Sequence, residues 1–150
     1  VYPFARTLDS LVHAGSPRAQ VIFYMTWGHR NGCRRPVAGY PPINSYELMQ
    51  ARLVTSYLEM TYDNDAWCAP VGLAWRQVRA EHPDWDLYQP DNYHPSPTGS
   101  YLAANVIFTT IFRKPYLTEV RAGLPAEQAG YLQHLAQRTV LDNLVLLNIR

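Results

Sequence analysis

Five apolar residues in succession, at positions 21–25, constrain the fold of this chain more than any other stretch. The run shows no alternation between apolar and polar positions, so both faces of the segment should be buried. An unalternating run of this length is typical of a strand in a parallel sheet that is covered on both sides. We therefore expect such a strand over residues 20–26.

A second strand and the helix between the two complete the predicted centre of the fold. Asn44 is a suitable helix cap, with Glu47 as its capping-box partner, and an apolar stripe continues to residue 60. This pattern predicts a helix over residues 44–60. A short strand is expected over residues 66–71, and a helix follows it. The order strand, helix, strand, helix predicts a parallel sheet with right-handed crossovers.

Three further segments flank this centre. Residues 1–14 show helical spacing and end at Gly15, residues 101–112 form an apolar helix packed deep against the sheet, and Pro125 begins a last helix. Residues 144–150 fit either a continuation of that helix or a short strand. No repeat or linker divides the chain, so residues 1–150 are expected to form a single domain.

The composition limits the classes of function. The chain has 150 residues, of which 47% are hydrophobic and 17% charged, as in a globular domain, and its net charge of +1 gives no indication of a nucleic-acid partner. The apolar runs are too short to span a bilayer. Cys33 and Cys68 are too few for a tetrahedral metal site. They form either a disulfide, which would indicate an oxidising compartment, or two free thiols.

The clearest chemical signal lies at residues 91–99, where Asp91 stands three positions before His94 and two prolines close the loop. A carboxylate held beside an imidazole fixes the tautomer of the ring, and the other ring nitrogen can then take a proton from a nucleophile. We therefore assign Asp91 and His94 as candidate catalytic residues. The alternative is that Asp91 caps a turn and His94 is an ordinary surface residue.

A long loop rich in Gly, Pro and Arg follows the first strand, at residues 27–42. It leaves the carboxyl end of that strand, which is where open α/β sheets bind their ligands. The candidate substrate-binding residues of this loop are Trp27, His29, Arg30 and Asn31. A Trp ring can stack on a sugar or line an acyl pocket. The alternative is a solvated connection that happens to carry a basic run.

Three segments of the chain resemble the SGNH (GDSL-like) hydrolases. Residues 91–104 are similar to the last motif of that family, in which an Asp and a His three apart precede the final large helix. Residues 26–32 resemble the loop after the fourth strand in a bacterial-type branch of the family, and residues 69–75 resemble the strand that follows. The resemblance implies a three-layer α/β/α flavodoxin-like fold and a serine esterase that acts on carboxylic esters, often acyl groups on carbohydrates.

The sequence departs from the family pattern at the nucleophile. The family places its Ser in a Gly-Asp-Ser motif after the first strand, with oxyanion-hole donors nearby. Here the only Asp-Ser pair is Asp9-Ser10, which follows Leu8 inside a helical stripe. The chain also opens without a Met. We therefore expect an incomplete sheet, whose leading strands and Ser belong to a missing N-terminal segment or to a second chain.

Two functions remain open at this point. In the first, the chain is the C-terminal part of an SGNH-type esterase acting on a small ester or an acylated carbohydrate, without a cofactor or metal. Because members of the family are often exported, this implies a secreted or extracytoplasmic location. In the second, the chain is a catalytically inactive remnant that serves as a structural or interaction subunit, with a partner covering its exposed sheet edge.

Overall fold

The computed structural model describes residues 1–35 and 39–150. Two parallel strands, β1 (Ile22–Tyr24) and β2 (Trp67–Ala69), form the sheet of the described residues. The five helices described are α1 (Tyr2–Gly15), α2 (Tyr46–Asp63), α3 (Val71–Glu81), α4 (Pro97–Phe112) and α5 (Ala126–Leu141). The fold is mixed α/β, and the predicted parallel pairing is confirmed.

Strand β1 is less buried than its sequence predicts. Ile22 and Phe23 are half-buried, and the Tyr24 side chain is 39% exposed. The expectation of a strand covered on both faces is therefore wrong. The physical reason is that β2 is the single neighbour of β1 among the described residues, so the covering layers end where the sheet ends.

Helix α2 begins two residues later than predicted, and its cap is Ser45 rather than Asn44. The backbone of Ser45 is extended, with φ of −131° and ψ of 163°, and its side-chain oxygen accepts a hydrogen bond from the amide of Leu48 at 3.3 Å. This geometry satisfies one of the free amides of the first turn, so the assignment of Asn44 as the cap is wrong.

Helices α3, α4 and α5 enclose much of the core. Trp75, Leu102 and Leu132 have no measurable exposure. Helix α4 is packed deep over most of its length, as predicted, although Ile111 and Phe112 at its end are exposed. Its first turn is capped by Ser96, whose side-chain oxygen accepts a hydrogen bond from the amide of residue 99 at 3.2 Å. The cap fixes the start of α4 directly after the loop of residues 86–96.

Two alternatives that the sequence left open, for residues 144–150 and for the two cysteines, are decided by the structure. Residues 142–148 form consecutive turns, neither a longer helix nor a strand, and the Leu147 carbonyl accepts the amide of Cys68 at 3.1 Å. Cys33 and Cys68 are free thiols, not a disulfide. Burial raises the pKa of the Cys68 thiol to about 12, so this cysteine is protonated at neutral pH.

No helix of the described ranges has the length and hydropathy needed to cross a bilayer.

Candidate active site

Asp91 and His94 are in direct contact. Oδ2 of Asp91 lies 2.6 Å from Nδ1 of His94, and Oδ1 accepts the backbone amides of Tyr93 and His94 at 2.9 Å each. The hydrogen bond from the His94 ring, followed by those from the two amides, lowers the pKa of Asp91 to about 2. An ionised carboxylate can only accept, so Nδ1 is the donor and Nε2 is left for a second partner.

Backbone hydrogen bonds close the loop that carries this pair. The amide of Gln89 donates to the carbonyl of His94, and the amide of Ser96 donates to the carbonyl of Leu87, each at 2.9 Å. Asn92 occupies the turn with φ of 62°, a left-handed conformation that Asn adopts more readily than most residues. The loop therefore has a defined shape, which presents Asp91 and His94 together.

The loop that follows β1 contacts the segment between Asp91 and His94. The indole Nε1 of Trp27 donates to the carbonyl of Tyr93 at 3.2 Å, and the amide of Arg30 donates to the carbonyl of Asn92 at 3.0 Å. Residues 27–30 come from the carboxyl end of β1, so the pair lies at the edge of the sheet where ligands are expected. The structure brings both sequence-predicted regions together here.

Trp27 and His29 each contact Tyr93. The Trp27 ring stacks on buried Trp75, with 4.0 Å between centroids and 3° between planes, so Trp27 anchors the loop as well as bordering the site. The His29 ring meets the edge of Tyr93 at a centroid distance of 4.5 Å. Burial lowers the pKa of His29, and the nearby negative charge of Asp91 opposes that shift.

Tyr93 is the site residue that the sequence analysis missed. Its ring contacts both imidazoles, with its centroid 4.5 Å from that of His29 and 4.4 Å from that of His94. The side chain is 51% exposed, so one part of the ring can meet a ligand. Its position between Asp91 and His94 in the sequence was the available signal, but residues inside a turn can point in any direction.

Arg30 and Asn31 are placed differently from the other two predicted rim residues. The guanidinium of Arg30 pairs with the carboxylate of Asp86 and lies 4.9 Å from the centre of the Tyr88 ring. Arg30 therefore ties the two loops together. Asn31 is exposed, and no hydrogen bond joins its side chain to another described residue.

Within residues 1–35 and 39–150, no three His, Cys, Asp or Glu side chains lie close enough together to hold a metal ion. A cavity of about 680 Å³ is present elsewhere, between α1, α2 and the segments at residues 33–35 and 40–44. None of the residues that line it belongs to the loop of residues 86–96. The cavity and the Asp91–His94 pair are therefore separate features of the surface.

The sequence matches no protein family and none of the curated proteins. Its fold is similar to the solved structure of a DUF4886 family protein from Bacteroides uniformis, with a TM-score of 0.71 and 19% sequence identity over 94% of this chain. The chain spans 57% of the length of that protein. At this level of identity, the likeness shows a shared fold and carries no assignment of activity.

Proposed function

We propose that this chain forms the acid–base part of an SGNH-type serine esterase, in which Asp91 orients His94. The observation that carries the proposal is the 2.6 Å contact between carboxylate and imidazole, with the second carboxylate oxygen held by two backbone amides. The two backbone hydrogen bonds by themselves form an Asx-type turn, so the contact with the imidazole is the part that supports catalysis. Its location, beside the residues that follow a parallel strand, is where open α/β sheets commonly bind ligands.

The chemistry assigns a separate task to each residue. Nε2 of His94 takes the proton of a serine hydroxyl as that oxygen attacks the ester carbonyl, and returns it to the leaving alcohol. The Asp91 carboxylate stabilises the imidazolium formed in between. The serine and its oxyanion-hole donors come from outside this chain. A carboxylic ester, including an acyl group on a carbohydrate, is the proposed substrate, and the exposed ring of Tyr93 offers a surface on which a sugar can pack.

The finer fold proposal is a three-layer α/β/α flavodoxin-like domain whose sheet continues beyond β1. The Val21 carbonyl and the Met25 amide bond to β2 at 3.0 Å each. Because backbone groups alternate in direction along a strand, those of Ile22 and Tyr24 face the opposite edge, where no described strand pairs with them. A further strand on that edge would satisfy these groups.

Helix α1 supports the same extension of the fold. Phe4, Leu8 and Leu11 lie at helical spacing and are 73%, 63% and 64% exposed. A stripe of this kind is normally buried against another element. The DUF4886 family protein of related fold has further residues beyond the 57% that this chain spans, which is enough chain for such an element. Together with the open edge of β1, the stripe favours additional sheet and helix on this flank.

The same surface favours a second candidate function, that of an inactive remnant serving as an interaction subunit. An unpaired strand edge and an exposed apolar helix face are each pairing surfaces for another chain. In this alternative, the Asp91–His94 pair stabilises its loop and catalyses nothing. The two candidates differ in whether a nucleophile is ever brought to His94.

Hydrolysis of 4-nitrophenyl acetate by the protein in its native, full-length form tests the first candidate. His94→Ala should lower kcat/KM about 1,000-fold or more, because the general base is removed. His134→Ala is the matched control, since His134 is an exposed residue of α5 and should leave the rate unchanged. The isolated 150-residue chain should show little or no turnover.

Two outcomes would contradict the esterase proposal. One is native activity that survives His94→Ala, and the other is turnover by the isolated chain that His94→Ala abolishes, because the nucleophile would then lie inside the chain. Absence of activity in the native protein, together with a stable complex that buries α1, would establish the interaction subunit instead.

A further inference from the structure

The cavity of about 680 Å³ beside α2 has the dimensions of a small-molecule site. Ligand pockets in proteins commonly occupy roughly 300–1,000 Å³ and are mostly apolar, with a few polar groups that orient the ligand. This cavity lies apart from Asp91 and His94, so its occupant need not be the substrate of the proposed esterase.

The floor of the cavity is an apolar face of α2 with one residue of the preceding segment. The sequence pattern predicts this stripe as core, yet three of its members are only half-buried, because no described element fills the space above them. Burial of that surface by a hydrocarbon chain would be favourable in proportion to the area covered. The floor residues are Ile43, Met49, Leu53, Tyr57 and Met60.

The rim of the cavity is cationic. Arg34, Arg35 and Arg52 line it, and none of the described lining residues is acidic. The Arg52 guanidinium lies 4.2 Å from the centre of the Tyr40 ring and forms no ion pair with a described residue. The nearby carboxylate of Glu59 is outside the lining and accepts a hydrogen bond from a tyrosine hydroxyl. The guanidinium of Arg52 is thus available to an anion, which Arg binds through two parallel hydrogen bonds.

We propose that this cavity binds a single-chain anionic amphiphile, such as a long-chain carboxylate, with the hydrocarbon chain along α2 and the head group at Arg52. Both halves of the ligand are needed for this fit. A small inorganic anion would leave the apolar floor uncovered. The three guanidinium groups favour an anionic head group over a neutral one and repel a cationic one.

Isothermal titration of the native protein with dodecanoate tests the proposal. Saturable binding is expected, and Arg52→Gln should weaken it about tenfold or more, since one charge-assisted contact is lost. Arg121→Gln is the matched control, because Arg121 is an exposed residue that pairs with Glu119 outside the cavity. This control should bind dodecanoate as the unaltered protein does.

A ligand series adds a test that does not depend on the folding of any variant. Hexanoate should bind more weakly than dodecanoate, and dodecyltrimethylammonium should not compete with it. Failure of dodecanoate to bind, equal binding by Arg52→Gln, or equal binding of the cationic amphiphile would overturn the proposal. His94→Ala should leave this binding unchanged, so the result is independent of the esterase assay.

Discussion

The two flanks of this small sheet differ in how completely their groups are partnered. At the carboxyl end of β1, the loop with Asp91 and His94 is held by backbone hydrogen bonds, by the indole of Trp27 and by the cap of α4. Elsewhere, the outer edge of β1 has no described neighbour, and the apolar face of α1 that includes Leu8 is exposed. The first region is fully packed, and the second leaves backbone groups and apolar side chains exposed.

The loop of residues 86–96 thus finds its packing partners within the described residues, whereas the outer edge of β1 finds none there. The contacts that shape the loop of residues 86–96 come from α3, α4 and the loop after β1, all of which lie within the described chain. The asymmetry can be tested by substitutions matched across the two flanks.

The largest expected effect is that of Trp75→Ala, beneath the site. Trp75 is fully buried and stacks on Trp27, so its loss leaves a large cavity and should lower the free energy of unfolding by about 3–5 kcal/mol. In the isolated 150-residue chain, Leu8→Ala should change it by no more than about 0.5 kcal/mol, because Leu8 is exposed there. Chemical denaturation of both variants measures the difference. Similar losses for the two would show that α1 is packed as firmly as the core.

A smaller effect is expected from Gly99→Ala in the first turn of α4. A methyl group at this position would lie 2.4 Å from both the Trp75 ring and the Leu87 carbonyl oxygen, so it should destabilise the protein by about 1–3 kcal/mol. Gly130→Ala in α5 meets no atom within 4 Å and should stabilise the protein by up to about 1 kcal/mol. Denaturation midpoints that shift in the same direction would contradict this account of the packing beneath the site.

The sequence predicted the parts of the fold that depend on local patterns. The parallel strands, the α4 helix and the turn that brings Asp91 to His94 all follow from short-range signals. The exposure of Tyr24 was not predicted. An unalternating apolar run is typical of a strand covered on both faces, whereas β1 has a single described neighbour. The role of Tyr93 was not predicted either, because its contacts with Trp27 and His29 join residues more than 60 positions apart in the chain.

Two smaller details, the cap of α2 at Ser45 and the ion pair of Arg30, also could not be predicted from the sequence. Ser45 and Asn44 are both good capping residues, and the structure has Ser45 at the cap. Arg30 was expected at the substrate rim, but Asp86, far along the sequence, holds its guanidinium. Choices between chemically equivalent neighbours, and pairings across long stretches of chain, require the assembled structure.

The ionisation of Asp91 has a defined consequence for stability at low pH. Its pKa of about 2 in the folded protein is below the value of about 3.9 expected for an unfolded Asp. The group therefore contributes stability above about pH 4, and that contribution is lost as the pH falls from about 4 to about 2. Because the hydrogen bond from His94 is the largest cause, the shift reports directly on the pair.

A titration of the Asp91 carboxyl carbon by NMR, in the unaltered protein and in His94→Ala, shows whether the carboxylate holds the imidazole. We expect a midpoint near pH 2 that rises in His94→Ala, while the control His134→Ala leaves it in place. A midpoint near the ordinary value of about 3.9, unchanged by His94→Ala, would show that the carboxylate does not hold the imidazole.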